Sequence, residues 1–179
     1  MLKLDGSGNF LWNKRFGGAM SDHLYSIVQA NDGGYVATGY TYSYGPGYVY
    51  VAKLSSGGTY EWTKNIGGTS VEEGNSIIQT SDGGYAIAGS TSSFGAGNRD
   101  VYVVKLNSVG GLQWTRTVGG TGSDYAYSML QTNDGGYAVV GSTSSFGVKP
   151  YVYLVKLSSS GAFQWDKILG STGGTGARA

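Results

Sequence analysis

The sequence predicts an all-β protein: a β-propeller-like arc of four-stranded antiparallel blades, about three and a half of them, either open or part of a longer propeller. Three observations predict it. A block of about fifty residues is written three times and begun a fourth, with tryptophans at Trp12, Trp62, Trp114 and Trp165 offset by 50, 52 and 51 residues. Periods of about forty to fifty belong to propeller blades or to helical HEAT-type units. The chain of 179 residues carries 33 glycines and 15 tyrosines, and Ser, Thr and Val fill much of the rest. No Ala-Leu-Glu-Lys stripe remains to build a helix. Finally, Asp-Gly-Gly-Tyr recurs at Asp32, Asp82 and Asp134 between β-type runs, a hairpin signal.

In chain order, residues 1–18 read as a half blade of two strands, and 19–68, 69–120 and 121–170 as complete blades. Residues 171–179 read as the start of a next repeat or a flexible tail. Within the third copy the four strands are expected at 127–132, 137–144, 151–157 and 162–169, named a to d. The Asp of the a-to-b link bonds its own backbone two residues on, and the glycines supply positive φ, so Asp32, Asp82 and Asp134 are expected to be structural. Strand b has small residues on one face (Ala86, Ala88), which admits a neighbouring sheet; strand c is apolar on both faces. Strand d alternates a large apolar residue with a basic one, as in Trp62 and Lys64. Such a sheet needs cover on both sides, and another copy of itself is the abundant cover. Four strands per unit favour the propeller over a linear solenoid or prism. The Trp column is therefore expected to pack between blades.

Composition excludes several functions. There is no cysteine, hence no disulfide, thiolate metal site or cysteine nucleophile. The net charge is +1, and eight of the 12 Lys and Arg recur in register: Lys3, Lys53, Lys105 and Lys156 in one column, Lys14, Lys64, Arg116 and Lys167 in another. Arg15, Arg99, Lys149 and Arg178 are left over, too few for a nucleic-acid footprint. Neither a signal peptide nor an apolar run long enough for a membrane span is visible. A cysteine-free, low-charge, Gly- and Tyr-rich chain suits an extracellular or cell-surface setting.

The string Asp82-Gly-Gly-Tyr-Ala-Ile-Ala-Gly-Ser-Thr-Ser-Ser-Phe-Gly, then Asp100-Val-Tyr-Val-Val-Lys-Leu, Gly110-Gly-Leu-Gln-Trp and Gly119-Gly resembles the tandem propeller-type repeats of secreted and cell-surface proteins of bacteria and archaea. The resemblance covers essentially the whole chain and implies a propeller in an extracellular setting, with no shared catalytic motif. Gly-x-x-x-Trp after Lys-Leu is similar to the docking segment of quinoprotein propellers, although the usual Asp before the Gly appears only as Asp5. Kelch repeats likewise pair Gly-Gly with Tyr and Trp, but bring the Trp much sooner. Neither similarity brings a cofactor.

Carboxylates recur at Asp22, Glu72 and Asp124 in the d-to-a link, where they either cap the turn or ring one face and hold Ca²⁺ or a sugar. The b-to-c links carry Tyr44, Phe94 and Phe146 before the chain's most variable stretches. These rings either cover the blade edge or serve as stacking platforms. Because strands alternate direction, both sets of links emerge at one face, the expected ligand face, while the Asp-Gly-Gly face is expected to be inert. His23, the single histidine, aligns with Glu73 and Tyr125. No catalytic triad, phosphate loop or His-rich metal spacing appears. The residues that break the repeat (His23, Glu73, Arg99, Asp100, Lys149) are read as scattered over different blades. The expected function is a non-catalytic extracellular repeat scaffold or binding module for adhesion, glycan or protein contacts. The alternative is a fragment of a propeller lyase or hydrolase acting on carbohydrate, with its catalytic residues elsewhere. Expected partners are further blades of the same parent protein, or a second copy end to end.

Overall fold

A computed structural model describes residues 1–146, 151–170 and 176–178, the last three through their backbone alone. The described residues form strands and contain no helix. β1 (Leu2–Leu4) and β2 (Phe10–Asn13) make a two-stranded half sheet. Blade 1 comprises β3 (Asp22–Gln29), β4 (Tyr35–Thr41), β5 (Tyr48–Leu54) and β6 (Tyr60–Ile66). Blade 2 comprises β7 (Glu72–Gln79), β8 (Tyr85–Thr91), β9 (Asp100–Leu106) and β10 (Leu112–Val118). Blade 3 comprises β11 (Asp124–Gln131), β12 (Tyr137–Thr143), β13 (Tyr151–Leu157) and β14 (Phe163–Leu169), with β15 (Gly176–Arg178) added antiparallel outside β14. Strands pair antiparallel in sequence order, as the hairpin signals require. The first strand of the third blade starts at Asp124, earlier than the expected 127, because Asp124 already pairs with Thr143 in the ladder. Residues 147–150, which include Lys149 and most of the third variable link, lie outside the described residues.

Each blade closes around one buried lysine. Lys53 and Lys105 are 3% exposed and Lys156 8%, so in the complete blades this column is interior. A buried ammonium is tolerated only when its donors are matched. The Lys105 ammonium donates to Asp82 (2.8 Å), the Leu106 carbonyl (3.0 Å) and Gln113 (3.0 Å). Lys53 pairs with Asp32 and Glu61, both at 2.6 Å, and Lys156 with Asp134 and the Leu157 carbonyl at 3.0 and 3.1 Å.

This node explains every letter of Asp-Gly-Gly-Tyr. The Asp accepts the N–H of the second glycine, Gly84 bonding Asp82 at 2.9 Å. The first glycine, Gly83, sits at φ +78°, closed to other residues at little cost. A Cβ on Gly84 would collide with the Lys105 ammonium and the Leu106 carbonyl. The tyrosine then turns under the preceding blade: Tyr85 and Tyr137 are 1% exposed, their rings 6.0 and 5.6 Å from Trp62 and Trp114.

The blades are joined the same way at each seam. A Cβ on Gly58, Gly110 or Gly161, all at positive φ, would stand about 3 Å from the ring of Trp12, Trp62 or Trp114 in the unit before. Inward of these contacts lie two apolar cores. One has Val36, Val49 and Val51 against Ile77, Ile87, Tyr102 and Val104. The other has Ala86, Ala88, Val101 and Val103 against Met129, Val139, Tyr153 and Val155. The first strands β3, β7 and β11 touch in succession, whereas the fourth strands make no comparable contact, so the sheets fan out as an arc. Serine hydroxyls stitch the first strands together, Ser26 accepting from Ile77 N–H at 3.2 Å and Ser76 from Met129 N–H at 3.3 Å.

The outer faces of the two end blades carry the same kinds of side chain without the cover. Ile27 is 53% exposed beside a groove of about 250 Å³ lined also by Met1, Leu24 and Ala37, whereas its counterpart Ile77 is 4% exposed. On the far side Leu130, Val140 and Val152 are exposed.

Two outcomes are expected. Trp62→Ala and Trp114→Ala, which each empty a seam, should cost about 3 kcal/mol in chemical denaturation, and Trp165→Ala, which meets no such turn glycine among the described residues, clearly less. The second concerns pH. Burial pushes the Asp82 carboxyl up, but bonds from Lys105, Thr80 and Gly84 outweigh it and hold the group at about 2. Its contribution is therefore complete above the unfolded value of 3.8 and is lost as pH falls toward 2. Because the carboxylate is half solvated, Asp82→Asn should cost only about 1 kcal/mol at neutral pH. The difference from wild type should disappear when denaturation is repeated near the folded-state value.

Candidate functional site

The d-to-a and b-to-c links of each blade meet at one end of the arc. Ser43 accepts the Gly18 and Met20 N–H groups, Ser93 that of Ser70, and Ser145 that of Gly122. Asp22, Glu72 and Asp124 are not in the links but open the first strands, with their carboxylates turned inward. Glu72 and Asp124 are fully buried and Asp22 half-buried. Glu72 accepts from Gly68 N–H (2.9 Å), Thr91 (2.8 Å) and Ser93 N–H (3.2 Å). Asp22 accepts from Gly18 N–H (2.8 Å), Ser43 (2.7 Å) and Thr41, and Asp124 from Gly120 N–H (2.8 Å) and Ser145 (2.6 Å). They pin the links and do not form an open polar floor. Tyr44 (51% exposed), Phe94 (44%) and the half-buried Phe146 each lie over the next strand's tyrosine, Tyr50, Tyr102 and Tyr153, at 6.4, 5.8 and 5.9 Å. One side of each ring covers the blade edge. Trp12, Trp62 and Trp114 are spent on the seams, and Asp32, Asp82 and Asp134 on the lysine nodes.

A different set of side chains comes together at the link end of the first strands. Each first strand carries a β-bulge, after Leu24, Gly74 and Ala126, so that Tyr25, Asn75 and Tyr127 are extra residues without a ladder partner. A bulge bends its strand and re-aims one side chain. Asn75 is used on the neighbour, donating to the Ala126 carbonyl at 2.8 Å, while Tyr25 and Tyr127 stand 51% and 56% exposed. Two residues before the bulge residue sit His23, Glu73 and Tyr125, opposite Tyr40, Ser90 and Ser142.

These residues form one continuous track across the three blades. His23 stacks on Tyr40 at 4.9 Å, and Tyr25 lies 5.7 Å from the same ring, with Tyr42 edge-on beyond it at 5.3 Å. Burial, then the neighbouring Tyr40 and the Glu73 carboxylate, hold the Tyr25 phenol above its ordinary range. Glu73 pairs with Arg99 at 3.0 Å, and Arg99 also donates to Ser90 at 3.0 Å. The Arg99 guanidinium lies 5.8 Å above the Tyr125 ring, which runs nearly parallel to Tyr127, and Tyr127 reaches Ser142 at 2.8 Å. Thus Glu73 and Arg99, read as scattered, come together within blade 2 and reach Tyr125 of blade 3, while His23 lies with Tyr25 and Tyr40 in blade 1. Asp100 is not among them; it is buried at the seam of blades 2 and 3.

The sequence carried a signal for this track. Among rows that hold the fold, such as Lys, Gly-Gly and Trp, the row His23/Glu73/Tyr125 changes in every copy, and the row Tyr25/Asn75/Tyr127 changes in the second. Architecture alone gives no reason for that. At the opposite end a groove of about 310 Å³ includes Asp82, Lys105, Gln113 and Trp114, but its charged groups already satisfy one another as the lysine node.

No protein-family model matches the chain, and no curated protein matches it. Among solved structures it is similar to the 1.35 Å crystal structure of a protein of unknown function from Bacteroides caccae, at 13% identity and a TM-score of 0.48, over 90% of this chain and 72% of that one. No helix among the described residues is long and apolar enough to cross a membrane.

Proposed function

We propose that the chain is a non-catalytic binding scaffold of the extracellular space or cell surface, and that its aromatic track holds a polyhydroxy chain, a glycan. The observation that carries this reading is that exposed Tyr25 and Tyr127 stand at the bulges of their first strands, two residues from the variable row His23/Glu73/Tyr125, while the Lys, Asp-Gly-Gly and Trp columns are occupied by the fold. Planar rings such as Tyr25 and Tyr127 suit the apolar face of a sugar, and the Glu73–Arg99 pair between them offers acceptors and donors to its hydroxyls. Glycoside hydrolysis commonly uses two carboxyl groups across the bond. Among the described residues of the track the only carboxylate is Glu73, and it is tied to Arg99, which supports binding over turnover. The interior position of Lys53, Lys105 and Lys156 likewise argues against a nucleic-acid partner. Further blades of the same repeat, or a second copy end to end, are the natural cover for the exposed apolar faces around Ile27 and Val140.

Glycan-array screening followed by titration of the best ligand tests this reading. Tyr25→Ala and Tyr127→Ala should each weaken binding roughly fivefold, about 1 kcal/mol per ring, with little change in melting temperature. Phe94→Ala should leave affinity unchanged. The opposite pattern would put the ligand at the link edge, and release of shortened sugars would replace the binding reading with an enzymatic one.

A further inference from the structure

We propose that Asp100 and Asp124 form a Ca²⁺ site at the seam between blades 2 and 3. Asp100 opens strand β9, and the equivalent residues of the sister blades, Tyr48 and Tyr151, are tyrosines. In blade 1 the Tyr48 ring packs at Gly67 beside the link-pinning carboxylate of the following blade, Glu72. Blade 2 puts a second carboxylate there instead. Asp100 and Asp124 face each other across Gly119, so closely that one Cβ on that glycine would overlap both. They are 1% and 0% exposed.

The column itself shows what is unusual. Asp22 and Glu72 have both oxygens engaged, one of each by the hydroxyl of Thr41 or Thr91. Asp124 Oδ2 has its two donors, but its buried Oδ1 has no partner. The surrounding backbone also supplies oxygens. The stretch from Phe94 to Asp100 is two residues longer than that from Tyr44 to Tyr48, and it folds onto the next link. There the Arg99 carbonyl accepts from Asp124 N–H at 2.7 Å, and the Gly120 and Gly122 carbonyls crowd Gly97, whose N–H bonds Asp100 at 3.1 Å.

Two facing carboxylates in a dry seam need a counter-charge. The donors are all oxygen and come from backbone and short side chains, which suits a hard cation tolerant of irregular geometry; among the described residues no histidine or cysteine stands there for zinc. Asp100→Tyr, which restores the residue of the sister blades, separates a cation site from a structural role. Melting should be compared in chelator and in about 1 mM Ca²⁺, within the range of extracellular Ca²⁺ modules. Wild type should melt several degrees higher with Ca²⁺, and calorimetry should count one ion per chain. Asp100→Tyr should fold and ignore the metal. If that variant does not fold, the wild-type calorimetric stoichiometry decides alone. No response of wild type to Ca²⁺, or an equal response in Asp100→Tyr, would overturn the proposal.

Discussion

The buried ammonium of Lys53, Lys105 and Lys156 is the constraint on which the rest of each blade depends. An interior charge leaves few ways to arrange what surrounds it. Its donors fix the Asp of the a-to-b hairpin, the carbonyl that follows the lysine, and in the first two blades a Glu or Gln on the fourth strand. Three of the four strands are thereby set against one another at one end. The second glycine of the hairpin exists to leave room for the ammonium, and the tyrosine after it is delivered under the tryptophan of the preceding blade. Intrablade register and interblade packing are decided at one point. That is why the motif repeats so strictly.

The link end is organised by a different device. Carboxylates at the start of the first strands gather the turn N–H groups and hydroxyls, and a bulge further along each strand takes one residue out of the ladder. The fold spends its identical residues on one end and at the seams, and leaves the bulged rows of the first strands free to differ. Since those strands are where the blades approach most closely, three single-residue differences on three blades become one surface. Asp100 follows the same logic at a seam: a position that is aromatic in two blades becomes acidic in the third, and the environment changes from packing to charge.

Much of the fold was legible in the sequence. The fifty-residue period, the Asp-Gly-Gly-Tyr hairpin and the alternation in strand d are all local signals, and the strand order follows from them. The role of the lysine column was not legible, because nothing in an otherwise apolar strand c names the partner that neutralises its lysine, and Asp82 lies over twenty residues away from Lys105. The candidate site was half legible. The link end was anticipated from strand direction, yet Asp22, Glu72 and Asp124 face inward because nearby hydroxyls and turn N–H groups compete for them better than solvent does. Glu73 and Arg99 read as scattered because sequence distance does not show that the link before β9 returns to the first strand of its own blade.

The tryptophan seams have a direction. Trp12 rests on the turn of blade 1, Trp62 on that of blade 2 and Trp114 on that of blade 3, so each unit lends its ring to the one synthesised after it. A nascent blade leaving the ribosome therefore meets a finished platform and need not wait for sequence still to be translated. The arc is in this sense a template that extends itself, with an order of addition written into which residue is the ring and which the glycine.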